Sequence, residues 1–335
     1  MAARQNSHWL GEAIAQGEEE CPSLIGNISA DVCIVGGGFT GLWTALNLKQ
    51  QDPALDVVVI EKDVCGAGAS GRNGGFVLSW WAKFLSLEKI CGGEEAVRLA
   101  TASADSVAAI GEFCAAEGID AHYRPDGWLW SATNKEQIDG WEGTLEAAAQ
   151  YQQYPFERWQ PDEVASRSGS KQHLAGIFEP GTASVQPAAL ARGLRQVALA
   201  KGVRIFENTP LTRLGDGAKP GIVTPKGRVK ADKVVLALNA WSIRFQPIRR
   251  AIVVVSSDIA VTEPMPERLD EIGWRDGMTI SDGRMLVHYY RTTRDGRIVF
   301  GKGGMNGSLP YGGTVGTKLD GPSPLGEDIG KWLSW

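Results

Sequence analysis

The apolar run Val32-Cys33-Ile34-Val35 has no polar alternation, which is the pattern of a strand covered on both faces. It enters Gly36-Gly37-Gly38-Phe39-Thr40-Gly41 without a spacer. Leu42, Ala45, Leu46 and Leu48 then recur at helical spacing to about Gln51, where Asp52-Pro53 stops the helix. A second apolar run, Val57 to Ile60, follows and delivers Glu61. Further along, Val97, Leu99, Ala102, Val107, Ile110 and Phe113 predict a helix from Glu94 to Gly118. Residues 122–130 predict a hairpin about Pro125-Asp126-Gly127, and Asn134 to Tyr154 a further helix. Strands are expected at Ala251 to Thr262, Arg284 to Tyr290 and Gly296 to Gly301, with turns at Ser281-Asp282-Gly283 and Arg294-Asp295-Gly296. With no internal repeat or linker visible, the pattern predicts an α/β protein: a Rossmann-like, three-layer domain interleaved with an α+β domain built on a mixed sheet.

Composition narrows the function. With 43% apolar and 22% charged residues over 335 positions, the chain is globular and long enough for two domains. A net charge of -5 supplies no general attraction for nucleic acid. The longest apolar runs, Val234 to Leu238 and Ala251 to Val255, fall far short of the roughly 20 residues of a membrane span. Glu18, Glu19 and Glu20 interrupt the first thirty residues, so no secretory leader is readable and a cytoplasmic setting is expected. Five cysteines without Cys-x-x-Cys and four histidines without ligand spacing predict no metal site and no disulfide framework. Glycine is abundant, 42 of 335, and much of it is clustered, as where backbone is brought close to a ligand. Twelve tryptophans suit core and edge packing, or a flat aromatic pocket.

Gly36, Gly38 and Gly41 match G-x-G-x-x-G in strand-turn-helix context, with an acid twenty positions after Gly41. Gly36 permits the tight turn, Gly38 the approach of a diphosphate, and Gly41 the packing of helix on strand, while the helix N-terminus offers unpaired N–H groups. Glu61 is the expected partner of the ribose hydroxyls, and Gly37, Phe39, Thr40 and Lys62 stand beside these positions as further cofactor contacts. NAD and FAD both satisfy this fingerprint. A second glycine loop, residues 65–76, follows directly where a nicotinamide dehydrogenase would run another helix and strand. Its Ser70, Arg72, Asn73, Gly74 and Gly75 suit the ribityl and ring end of FAD.

The run from Asp31 through Phe76 resembles the D-amino-acid-oxidase-like superfamily of FAD-dependent oxidoreductases, and its Ser-Gly-Arg-Asn-Gly-Gly loop is most similar to the branch containing gamma-glutamylputrescine oxidase. The likeness extends over residues 30 to 317 and implies FAD as cofactor. It places the backbone of Leu211 against adenine, and Asn239 and Ala240 at the end of the strand that enters the flavin pocket. Asn239 stands where a glycine is common and is the residue that best tolerates a left-handed backbone. The implied segments are an N-terminal extension (1–30), FAD-binding segments (31–80 and 181–245), substrate-domain segments (81–180 and 246–317) and an atypical or truncated C-terminus (318–335).

The implied reaction is oxidation of a C–N bond in an amine or amino acid that is gamma-glutamylputrescine-, glycine- or sarcosine-like. Hydride passes to flavin, the imine hydrolyses, and O2 or another acceptor takes the electrons, giving peroxide in the case of O2. No nucleophilic triad or paired carboxylates are present, and flavin chemistry requires none. Tyr289 and Arg291, which share one face of a strand, are the expected substrate-facing pair, Arg291 receiving a carboxylate. Lys83 is a candidate cation for activating oxygen. No His or Cys lies within Ser70 to Gly75, so no covalent tether is expected there. The competing readings are an NAD-linked dehydrogenase and a truncated, non-catalytic flavin-binding protein.

Overall fold

The computed structural model describes residues 7–303, apart from 16, 18–19, 216–220, 255–256 and 285–286. The C-terminal segment 318–335 of the sequence reading therefore lies outside the described residues, as does the end of the preceding one.

The chain opens with helix α1 (His8–Ala15), whose Trp9, Leu10 and Ala13 are buried. Strand β1 (Gly26–Val35) begins five residues before Asp31, where the sequence suggested the structured part begins, so the segment read as an extension contributes a helix and the outer half of a strand. Only the inner half of β1, Val32–Val35, is fully buried. Helix α2 (Phe39–Gln51) follows, then β2 (Val57–Ile60), buried throughout, the two-residue β3 (Phe76–Val77), and helices α3 (Phe84–Cys91) and α4 (Gly93–Ala116). Gly118, at φ +68°, follows the end of α4, as expected.

Strand β4 (Trp128–Ala132) does not form the expected hairpin. Arg124 bridges to Ser184, and the Asp126 carboxylate accepts the Gly277 N–H at 2.6 Å. The Pro-Asp-Gly bend thus joins two distant segments instead of two neighbours. Between Asn134 and Tyr154 the helix is confined to α5 (Glu142–Gln150), because Asn134 caps a single 3-10 turn and chain reversal follows. Strand β5 (Glu157–Trp159), helix α6 (Pro161–Ser168), strand β6 (Ala175–Glu179) and the short β7 (Ala183–Ser184) complete this half.

Helix α7 (Pro187–Ala200) starts at a proline, with Gln186 capping the Ala189 N–H. It leads through β8 (Arg204–Phe206), β9 (Arg213–Leu214) and β10 (Gly221–Val223) to β11 (Gly227–Leu236). Strand β12 (Ser257–Val261) is shorter than expected. Then come helix α8 (Pro266–Glu271), strand β13 (Thr279–Asp282), which the sequence reading did not assign, β14 (His288–Thr292) and β15 (Ile298–Gly303).

Two sheets organise these elements. The first has the order β8-β2-β1-β11-β10-β9, parallel from β8 to β11. One face, with Ile34, Val57, Val59 and Ile205, packs on Leu42 and Leu46 of α2 and Leu190 and Leu194 of α7. The glycine turn leaves β1 between β2 and β11, the switch point where open α/β sheets place their ligands. The second sheet is mixed, β12-β15-β14-β13-β4-β6-β5, with β13 and β4 parallel across 151 residues of sequence. The fold is therefore the expected mixed α/β arrangement of a parallel nucleotide-type sheet and a mixed sheet, with the chain passing between them more than once.

Candidate active site

The two glycine loops are clasped together. Gly36 leaves β1 at φ +114°, where a side chain would overlap the Ala237 carbonyl. A Cβ on Gly41 would overlap the Gly36 carbonyl, so α2 can seat on the turn only as glycine. The Gly37 N–H donates to Glu61 Oε2 at 2.8 Å, and Glu61 Oε1 accepts the Asp63 N–H at 3.0 Å. Burial raises the Glu61 pKa, and these two donors oppose the rise. From the second loop, Ser70 Oγ accepts the Phe39 N–H at 2.9 Å, and the Gly66 N–H donates to Gly37 O at 3.0 Å. Ser70 is thus the joint between the loops and supplies the cap that Gly38 lacks. Thr40 is exposed at the head of α2.

Two later segments converge here. The Thr209 N–H donates to Glu61 O at 2.7 Å, which brings Leu211 beside the end of β2, packed with Val35 and Ile60. Beyond β11, Asn239 adopts φ +45°, the left-handed backbone that its residue type tolerates. It opens a 3-10 turn that carries Ala240 and Trp241. The Trp241 ring lies under Lys62 Nζ at 4.3 Å and beside Gly68 of the second loop. Trp241 is a site residue that sequence reasoning missed; its adjacency to Asn239 and Ala240 was the available signal.

Arg72 and Asn73, expected at the ring end of the cofactor, also bond within their own loop. Arg72 Nε donates to Ala67 O at 2.7 Å, Asn73 Nδ2 donates to Ser70 O at 3.0 Å, and Asn73 Oδ1 accepts the Gly75 N–H at 2.8 Å. These polar side chains brace the loop from within, because its glycines supply no rigidity of their own. Gly75, at φ +72°, passes so close to the Val185 carbonyl that no side chain would fit.

On β14 the side chains alternate as expected. Tyr289 turns toward the second glycine loop: its ring meets Phe76 nearly edge-on at 5.6 Å and packs on Gly74, in a slot that Gly301 leaves open on β15. Its hydroxyl is 3.2 Å from Ser257 Oγ, and burial raises its pKa. Arg291 shares that face but is not shown receiving a substrate carboxylate. Its guanidinium donates to three backbone carbonyls, Gly74 and Val185 at 2.6 Å each and Thr292 at 3.0 Å, and lies 5.1 Å over the Trp9 ring. Burial lowers its pKa to about 9. The sequence could not foresee this, because two of those carbonyls lie 217 and 106 residues away. Lys83, the candidate cation, is exposed at the head of α3. Its neighbour Trp81 is buried against Phe84 instead.

Tyr290 faces the other side of the sheet. There it bonds His173 Nε2 at 2.8 Å, stacks on Phe300, and borders a cavity of about 270 Å3 shared with Trp274, Asp282 and Arg284. Burial lowers the His173 pKa to about 4, so the ring is neutral there.

Glu179 was also not singled out by sequence. It lies opposite Trp128, is 3% exposed, and accepts the Ser79 hydroxyl just beyond β3. Burial raises its pKa to about 7. The folded state therefore holds this proton more tightly than the unfolded chain, so its contribution is fully present below the ordinary carboxylate range and is lost as pH rises toward 7. Glu179→Gln is expected to flatten the fall in melting temperature between pH 4.5 and 7 and to be the more stable protein at pH 8. An unchanged slope in thermal melts across that range would refute this assignment.

The sequence profile of the FAD dependent oxidoreductase family, DAO, matches residues 31–328. The chain is 29% identical over 285 residues to gamma-glutamylputrescine oxidoreductase of Escherichia coli K12, covering 84% of this chain and 66% of that protein. It is 31% identical over 290 residues to the probable oxidoreductase OrdL of Rhizobium meliloti, covering 84% and 65%. It thus spans about two thirds of the length of these relatives. Glycine oxidase from Geobacillus kaustophilus superposes with a TM-score of 0.64 at 20% identity, over 86% of this chain and 73% of that one, a likeness of fold. Among the described residues no helix is long and apolar enough to cross a membrane. The profile match over most of the chain, with two clasped glycine loops at the sheet's switch point, shows that this chain belongs to the DAO family of FAD-dependent oxidoreductases, whose cofactor is FAD.

Proposed function

We propose that this chain oxidises the C–N bond of an amine or amino acid, using FAD. The observation that carries the reading is the clasp of the two loops through Ser70 and Gly37, with Tyr289 and Phe76 forming an aromatic wall beside Gly74. The residues present fit the cofactor. Gly36, Gly37, Gly38, Phe39, Thr40 and Gly41 form a glycine-rich turn at the head of α2, where the backbone lies open to a diphosphate beside Ser70. Glu61 keeps acceptor capacity for ribose hydroxyls, with Lys62 beside it, and Leu211 offers an apolar seat for adenine. Ser70, Gly74, Gly75, Asn239 and Ala240 frame the ring end, Arg72 and Asn73 holding that frame in shape.

FAD, when bound, supplies the acceptor for a hydride from the carbon that bears nitrogen. The chain's own groups orient and desolvate. Tyr289 stays a neutral phenol, able to donate a hydrogen bond, and its ring with Phe76 excludes water from the amine. Water would then hydrolyse the imine to a carbonyl compound and ammonia or an amine, and O2 or another acceptor would take up the electrons.

Arg291 is committed to backbone carbonyls, so a carboxylate next to the reacting carbon lacks the receptor that sequence suggested. This favours a substrate whose carboxylate lies far from that carbon, gamma-glutamylputrescine-like, over glycine- or sarcosine-like ones. The similarity to the Escherichia coli enzyme points the same way. The cytoplasmic setting expected from the sequence is part of this reading. The test is anaerobic mixing of the FAD-loaded protein with gamma-glutamylputrescine, sarcosine, glycine and D-amino acids. Bleaching of the yellow flavin is expected first with gamma-glutamylputrescine. A flavin that none of them bleaches would favour a non-catalytic flavin-binding protein.

A further inference from the structure

We propose that α1 is a clamp on the second glycine loop, with Ser7 and Trp9 as positioning residues that fix the loop's peptide carbonyls. Ser7 Oγ donates to Gly71 O at 3.0 Å, and Trp9 Nε1 donates to Asn73 O at 3.0 Å. The next carbonyl, Gly74 O, is held by Arg291, whose guanidinium rests on the Trp9 ring. Three peptide oxygens in a stretch of four residues are therefore held by side chains from outside the loop, two from the amino-terminal segment and one from the mixed sheet.

The clamp has a firm seat. The Gln186 side-chain amide donates to Trp9 O at 2.8 Å and to Glu12 Oε2 at 2.9 Å, and Leu10 and Ala13 pack with Ala188, Ala189 and Val299. Thus α1 rests on the head of α7 and on β15 while reaching over to the loop. The loop requires this because Gly71, Gly74 and Gly75 leave its backbone with more freedom than any other residue type would, and each buried carbonyl needs a donor. Fixing those carbonyls in advance spares the loop an ordering cost when cofactor binds. The inference rests on the FAD reading only for its consequence in binding; the clamp itself is a property of the chain.

The test compares the parent with Trp9→Phe, which keeps a ring under Arg291 but loses the N–H, with Ser7→Ala, and with the double variant. Hydrogen exchange of the cofactor-free proteins is read at residues 71–76, with β4 as internal reference. Loop exchange is expected to rise by about tenfold in either single variant and further in the double, with β4 unchanged. The FAD dissociation constant is expected to rise about five- to tenfold in each single variant, and the visible circular dichroism of bound flavin to change. Unchanged exchange at 71–76, or acceleration shared with β4, would overturn the clamp, and a faster loop without weaker FAD binding would overturn its role in cofactor binding. Failure of the parent to bind FAD would sink the cofactor assignment instead, and the exchange comparison would still decide the clamp.

Discussion

Gly38→Val is expected to strip the protein of FAD while leaving it folded. Gly38 has φ -87° and an extended ψ, a conformation open to any residue, so valine brings no backbone strain. Its Cβ would stand 2.8 Å from Ser70 Oγ, the end of a side chain that can rotate away. That rotation frees the Phe39 N–H from its cap and puts two methyl groups over the head of α2, where a diphosphate must come close. The expected rise in the FAD dissociation constant is about a hundredfold or more, from overpacking worth about 1–3 kcal/mol together with the lost approach. The melting temperature of the cofactor-free protein is expected to fall by only about 5 °C. Gly41→Ala is the informative contrast, because its Cβ would overlap the Gly36 carbonyl, a backbone atom that cannot yield without moving β1. That variant is expected to lose stability and cofactor together. Titration of FAD into the purified cofactor-free proteins checks both, and parent-like affinity in Gly38→Val would remove the turn from the diphosphate site.

Local chemistry explains what was legible. From Asp31 to Glu61 each element is specified by neighbouring residues: an unbroken apolar run, glycines wherever backbone must pass backbone, a helix closed by Asp52-Pro53. At Asn239 the family resemblance implied a position where glycine is common, and its residue type tolerates the left-handed backbone found there. What was not legible depends on partners far away in the chain. Residues 122–130 carry a strong turn signal, yet Arg124 pairs with Ser184 and Asp126 with Gly277, so long-range pairing overrides the local hairpin. Helix α1 has only eight residues, and the partners of Ser7 just before it and of Trp9 within it, Gly71 and Asn73, each lie 64 positions further on. Lys83 follows the second loop in sequence, and the 3-10 turn at Trp81–Lys83 buries Trp81 and leaves the lysine exposed, which no local pattern foretold.

Arg291→Ala is expected to damage the fold of the site as a whole and not substrate choice. The sequence-based expectation was a selective loss of carboxylate-bearing substrates. In the structure Arg291 is 3% exposed and its guanidinium is the donor for Gly74, Val185 and Thr292 carbonyls. Truncation leaves three buried acceptors without that donor and opens a void beside the Trp9 ring, a loss of about 3–5 kcal/mol in stability. For a chain of this size that corresponds to a melting temperature lower by about 4–7 °C. The Gly74 carbonyl, released, lets the second loop relax away from Tyr289, so FAD affinity falls and turnover drops for every substrate by a similar factor. Arg291→Lys keeps the charge but not the planar fork, and one ammonium cannot reproduce the spread of donors to carbonyls on separate segments, so only part of the stability is expected to return. Melting curves, FAD titration and kcat/KM for a simple amine beside a carboxylate-bearing one settle the matter. A variant that melts like the parent, holds FAD, and fails only on carboxylates would restore Arg291 to the substrate site.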